Sequence, residues 1–328
     1  PTAEKRTSRH RTHLASQGIG TFGAMVETYF TTGQGAGLST KDDQLRRIRS
    51  VFAAHLNRSA VEVKSSELQL SIDSHGAKVS AARAAGYLTP ILHWAKRRDL
   101  VVGDFNLEKP VQDAPRQKVL TEAELSALLP TFKSHHGVCA KFMLLTGARI
   151  TETTGAVWSH IDLEAKTWTI PPENLKDTRA LQARRHKPKV ALVIPLSRQA
   201  IDLLLEARMA EVARRQLDGL TEEIRQEDLL FVGPRGAKLG NWDRWLKATT
   251  SKTGIAGWSA HALRRTTATL AGDLGAPPHI VSVILGHSNV GGQLVAGYNH
   301  SKYGCEHLQM LQNVADKLDV IEREATDE

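Results

Sequence analysis

Four short segments of the 328-residue chain carry side chains suited to gripping and attacking a phosphodiester. Thr146-Gly147-Ala148-Arg149-Ile150-Thr151-Glu152 sets an arginine just after a glycine turn, with Glu152 three residues on to hold it in position. His261-Ala262-Leu263-Arg264 spaces an imidazole and a guanidinium three apart, on one face of a helix, where both reach toward one phosphate. Leu285-Gly286-His287-Ser288 ends a short apolar helix at a glycine, and Val295-Ala296-Gly297-Tyr298-Asn299-His300 follows it. Arginine suits a phosphodiester because its planar fork donates two parallel hydrogen bonds and keeps its charge at any physiological pH. Taken singly, each segment also fits a structural role: a basic pair on a surface helix, an ion pair at a helix start, an ordinary helix stop, a half-buried tyrosine. Tyr303, five positions after Tyr298, is a competing hydroxyl.

The elements that must hold these side chains fall into an arm and two domains. Residues 1–17, with Lys5, Arg6, Arg9 and Arg11, form a polar basic arm without apolar period. Residues 18–112 form a helical domain with its linker: apolar segments around Phe22 to Phe30, Leu45 to Leu56, Leu68 to Ile72 and Val79 to Trp94 each carry helical spacing. Ser39 and Thr40 ahead of Asp42 and Asp43 mark a helix start. Pro110 and Pro115 interrupt a stretch from Asp104 to Lys118 that reads as an extended linker. Residues 113–328 form the second domain, opened by a Thr121/Glu124 capping box and closed by an amphipathic helix from Cys305 to Val320. That last helix has two possible seats, a neighbouring molecule or its own domain. Trp168 to Ile170 and Val190 to Ile194, closed by Pro171 and Pro195, read as strands. Between them Lys176, Arg179, Arg184, Arg185 and Lys187 make the densest basic loop, suited to a DNA backbone. The fold expected is mainly α with a small antiparallel β-sheet.

Lysine plus arginine exceed aspartate plus glutamate by 43 to 35, a net charge of +8 that favours a polyanionic partner. Cys139 and Cys305 lie far apart and share no ligand spacing with nearby histidines, so no metal, cofactor or disulfide framework is expected. No apolar run approaches the ~20 residues of a membrane span, and the basic start lacks the apolar core of a signal peptide. A cytoplasmic, nucleoid-associated protein is the expectation.

In order, the four segments resemble the tyrosine recombinase or phage integrase family. There an arginine in a Thr-Gly-x-Arg-x-x-Glu-like turn precedes a hairpin lysine, His-x-x-Arg, Leu-Gly-His and a tyrosine. The resemblance implies a helical core-binding (SAM-like) domain followed by an α+β catalytic domain. It assigns Arg149, His261, Arg264, His287 and Tyr298 as catalytic, with Glu152 supporting. The lysine is Lys176 or Lys187, and Lys176 lies closer after the first strand, where the family usually carries it. The implied reaction is site-specific recombination of double-stranded DNA through a 3′-phosphotyrosyl link, without metal or ATP. It also implies a homotetramer on paired sites, accessory DNA-bending proteins and no membrane. A type IB topoisomerase-like enzyme would use the same chemistry to relax DNA as a monomer, and a non-catalytic DNA-binding protein would not need Tyr298.

Overall fold

A computed structural model describes residues 20–38, 40–111, 117–175, 190–220, 223–234, 236–286 and 303–327. The chain divides into two compact units, Pro1–Pro115 and Arg116–Glu328.

In the first unit, α1 (Phe22–Thr31), α2 (Lys41–Val51), α3 (Ser65–Ser74) and α4 (Lys78–Lys96) follow the four apolar segments. Phe22, Met25, Val26, Tyr29 and Phe30 recur at helical spacing on α1 and are all buried, which is why this stretch folds as a helix rather than a strand. Thr21 caps it, its hydroxyl accepting from Ala24 N at 3.1 Å. The α2 start departs from expectation: the Thr40 hydroxyl accepts from the Gln44 side chain at 2.8 Å rather than from the backbone. The expected extended linker also differs over its described part. Phe105 is buried in the core of this unit, and Glu108 is pinned to α3, its N–H donating to Gln69 Oε1 at 2.9 Å. Phe105 and Leu107, two residues apart, both reach the core of this unit, so the stretch is held although it carries no apolar period.

In the second unit, the capping box forms as expected: Glu124 N donates to Thr121 Oγ1 at 3.2 Å and Thr121 N to Glu124 Oε2 at 3.0 Å, opening α5 (Glu122–Leu128). Then come α6 (His135–Thr146), α7 (Ile150–Thr154), β1 (Ile161–Asp162), β2 (Thr167–Ile170), β3 (Leu192–Pro195), α8 (Arg198–Leu217), α9 (Trp242–Thr253), α10 (Ala260–Asp273), α11 (Pro278–Ile284) and α12 (Gly304–Asp327). The sheet is antiparallel in the order β1-β2-β3, with Trp168 opposite Ile194 and both side chains in the core. β1 was not expected, because two residues carry no alternation to read. β3 starts later than the Val190 reading and includes Pro195, which it tolerates because, among the described residues, no strand pairs with its outer side. The mainly helical architecture with a small antiparallel sheet is as the sequence implied.

The C-terminal helix α12 packs on its own unit, against α5, α6, α10, α11 and β3, and buries Leu311, Val314, Ala315, Leu318 and Ile321. Ion pairs flank that seam: Lys141 Nζ to Glu322 Oε2 at 2.6 Å and Lys317 Nζ to Glu122 Oε2 at 2.9 Å. Among the described residues no helix is long and apolar enough to cross a membrane.

One buried group on α12 is titratable. His307 is 2% exposed, nothing among the described residues bonds its Nε2, and burial lowers its pKa to about 4. Between pH ~6.5, where the unfolded chain takes up that proton, and about 4, the folded chain refuses it. Stability from this group is therefore present above pH ~6.5 and falls as pH drops, by at most ~1.4 kcal/mol per unit. Urea unfolding at pH 7 and pH 5 checks this: His307→Leu should lose less stability on acidification than wild type. Equal losses would mean that His307 is not the titrating group.

Candidate active site

The turn after α6 is where the site begins. Gly147 closes that helix in the left-handed region, φ 66°, with its N–H bonded to Met143 O at 2.9 Å. The reversal turns the chain out of the core, and two residues later Arg149 caps α7 with an extended backbone. Glu152, 1% exposed, fixes Arg149 twice: Oε2 accepts from Arg149 N at 2.8 Å and Oε1 from Arg149 Nη1 at 2.7 Å. The Arg149 side chain stays 27% exposed, while the carboxylate that holds it is fully buried.

α10 brings the second arginine to the same turn. Thr267 Oγ1 donates to Leu144 O at 2.7 Å, locking α10 to the last turn of α6. Arg264, 4% exposed, donates from Nη1 to Gly147 O at 2.6 Å and from Nη2 to Leu285 O, the first residue after α11. One guanidinium thus ties the ends of α6 and α11 together. Two of its five N–H donors serve the carbonyls, leaving three. Burial, and then the nearby Arg149 charge, lower its pKa to about 10, with Glu152 opposing. Arg149, Glu152 and Arg264 therefore share one electrostatic neighbourhood.

His261 lies on the same first turn of α10 but is exposed, whereas Arg264 points inward. Gly286 follows Leu285 with φ 55°, and a Cβ there would lie 2.8 Å from Leu192 Cδ2 at the start of β3. The chain leading into residues 287–302 thus begins beside the strand that follows residues 176–189. His287, Tyr298, Lys176, Arg179, Arg184, Arg185 and Lys187 lie outside the described residues. Tyr303 is described: its ring packs on His279 with centroids 4.9 Å apart. His279 stands near the start of α11 and Leu285 just past its end, separated by roughly 9 Å of helical rise. Tyr303 therefore sits at the end of α11 remote from Arg264. Among the described residues no group of three or more His, Cys, Asp or Glu side chains could hold a metal ion.

Sequence reading missed the carbonyls of Gly147 and Leu285 and the hydroxyls of Thr266 and Thr267. Backbone acceptors have no residue-type signature, and threonines within a helix read as filler. The Gly147 turn gives the sharpest check. A Cβ at Gly147 would meet Ile284 Cγ2 at 3.0 Å on a left-handed backbone, while one at Gly272, inside α10, would meet nothing within 4 Å. Gly147→Ala should destabilise by about 1–2 kcal/mol, and Gly272→Ala should stabilise by up to about 1 kcal/mol. Urea midpoints of opposite sign are the expected result; equal shifts would mean that the turn carries no special constraint.

Residues 118–304, more than half of the chain, match the phage integrase family. A relative described as putative protein IntB of Escherichia coli (strain K12) is 28% identical over 199 residues, which cover 56% of this chain and 46% of that protein. The chain spans less than half the length of the first curated relatives it matches. Among solved structures, the Tn1549 transposon integrase in complex with circular intermediate DNA superposes with a TM-score of 0.61 at 18% identity, covering 88% of this chain and 99% of that one. A lambda integrase dimer bound to a COC′ core site gives 0.59 at 14% identity, covering 87% and 96%. At such identities these likenesses are of fold. The family match, which spans the Gly147 turn and both arginines it joins, establishes that the chain belongs to the phage integrase family.

Proposed function

We propose that the chain is a site-specific recombinase that cleaves and rejoins double-stranded DNA through a 3′-phosphotyrosyl intermediate. The observation that carries this reading is the convergence of Arg149, held by the buried Glu152, and Arg264, held by Gly147 O, on one turn within the family-matching region. Glu152 pairs with Arg149 while Arg264 is held by carbonyls, so the second guanidinium keeps positive charge that a phosphodiester's non-bridging oxygens would satisfy.

In this reading Tyr298 Oη attacks the phosphorus, the bond to the 5′-oxygen breaks, and the phosphate passes to the tyrosine. Tyrosine has a reference pKa of ~10 and gives up its proton during attack. The exposed His261 receives it. Lys176, with Lys187 as the alternative, protonates the departing 5′-oxygen, and His287 donates to the phosphate. Rejoining reverses each step, and the phosphotyrosyl bond keeps the energy needed for it. Tyr303, packed on His279 at the far end of α11, supports Tyr298 as nucleophile. Arg179, Arg184, Arg185 and Lys187 would neutralise phosphates beside the cut. The first unit would act as the core-binding domain, with residues 1–17 as a basic arm. The solved integrase relatives hold DNA, and one is a dimer on its core site. For this chain a homotetramer on paired sites, with accessory DNA-bending proteins, is the corresponding proposal. A cytoplasmic, nucleoid-associated location follows from that substrate.

The test uses the full chain, nicked suicide duplexes tiled across the DNA flanking its gene, and denaturing electrophoresis. Wild type and Tyr303→Phe should give a covalent protein–DNA band and Tyr298→Phe none. Arg149→Ala should slow its formation by roughly 10²–10³-fold. A band that survives Tyr298→Phe overturns the choice of nucleophile. Tight binding of some duplex without any band would leave a DNA-binding protein rather than an enzyme.

A further inference from the structure

The helix that carries His261 and Arg264 is bonded to the segment by which the chain enters the second unit. Thr266, 0% exposed, accepts from Leu120 N at 2.9 Å, and its own hydroxyl donates to Ala262 O at 2.9 Å. Leu120 is itself 4% exposed and belongs to the core of the unit. The hydroxyl therefore stands between a backbone donor 146 residues away and the carbonyl that directly follows His261 in the chain. Its neighbour Thr267 makes a matching bond to Leu144 of α6. Two adjacent threonines thus hold one turn of α10 between the entry segment and the helix that ends in the Gly147 turn.

We infer that Thr266 is a positioning residue for the active site: its hydroxyl bonds the N-terminal half of α10 to Leu120 N in the entry segment and so sets where His261 and Arg264 stand. The inference rests on the recombinase reading only for what those two side chains do. An unmade bond here is not replaced by water, because both partners are buried, so the backbone must move to satisfy Leu120 N–H. Arg264 is four-hundredths exposed with two carbonyls on its guanidinium, and a shift of the turn that bears it has no slack to absorb it. Geometry lost by about 1 Å costs on the order of 10²-fold in rate even when the change lies away from the reacting atoms.

The test compares Thr266→Val, which keeps the shape and deletes both bonds, with Thr266→Ser, which keeps both. Hydrogen exchange of full-length protein without DNA should show faster exchange at residues 117–121 and 260–266 in Thr266→Val and wild-type exchange in Thr266→Ser. On the suicide duplex that captures wild type, Thr266→Val should bind within about twofold yet form the covalent complex roughly tenfold or more slowly, with Thr266→Ser restoring the rate. Wild-type exchange in Thr266→Val overturns the inference even if no duplex is ever captured, a result that would count against the recombinase reading alone. Unchanged capture by Thr266→Val overturns it as well. Equal loss in the serine and valine variants would also overturn it, since bonding would then not be the cause.

Discussion

A single buried guanidinium decides how the candidate site is put together. Arg264 reaches from α10 to the carbonyls of Gly147 and Leu285, which end two other helices and, lying past their last turns, have no intrahelical partner of their own. Burying a cation is costly, and hydrogen bonds to a charged group, about 1.5–3 kcal/mol each, offset part of that cost. Because both bonds come from one rigid fork, the ends of α6 and α11 cannot move independently. Arg149 inherits its place from the first of those ends, and the chain leaving Gly286 inherits its starting point from the second.

That arrangement also settles the charge balance. Glu152 is fully engaged by Arg149, through the backbone N–H and one guanidinium nitrogen, and is too deeply buried to be shared with solvent cations. Among the described residues, Arg264 bonds carbonyl dipoles alone, so its charge is solvated there rather than neutralised. Even lowered to about 10, its pKa leaves it protonated at pH 7. The neighbourhood is therefore cationic by construction, and the cost of holding two like charges together is already met by the fold. An incoming anion would relieve that repulsion instead of creating a new constraint, which is the sense in which such a site is preorganised.

Much of this was legible in the sequence, and the remainder was hidden for definite reasons. Helical period gave α1 to α4, and Thr121 with Glu124 gave the start of α5, because those signals are local. The Arg149 and Glu152 pair could be read from spacing alone. β1 could not, being two residues long and formed only because β2 offers it a partner. The Asp104 to Val111 stretch looked free because its anchors, Phe105, Leu107 and the Glu108 backbone, carry no helical or strand period. Both seats for the final helix stayed open until its apolar stripe was found against α5, α6 and α10. The least legible feature was the most consequential: an arginine in His-x-x-Arg looks like a residue that faces its ligand, and nothing in its type says that it first holds two carbonyls.

Helical spacing put His261 and Arg264 on one face, yet one is exposed and the other buried. The difference follows from where α10 starts. Its first turn stands at the edge of the core, so a three-residue step with its 300° rotation is enough to carry one side chain over the rim and the other beneath it. The two positions suit different work. A proton acceptor must reach solvent or substrate to load and unload its proton, whereas a fixed charge acts most strongly where the surroundings cannot reorganise. In the proposed reaction both needs would be met within one turn of helix, provided that the turn is held at a constant height above the core. Thr266, bonded to Leu120, and Thr267, bonded to Leu144, are placed to hold it there.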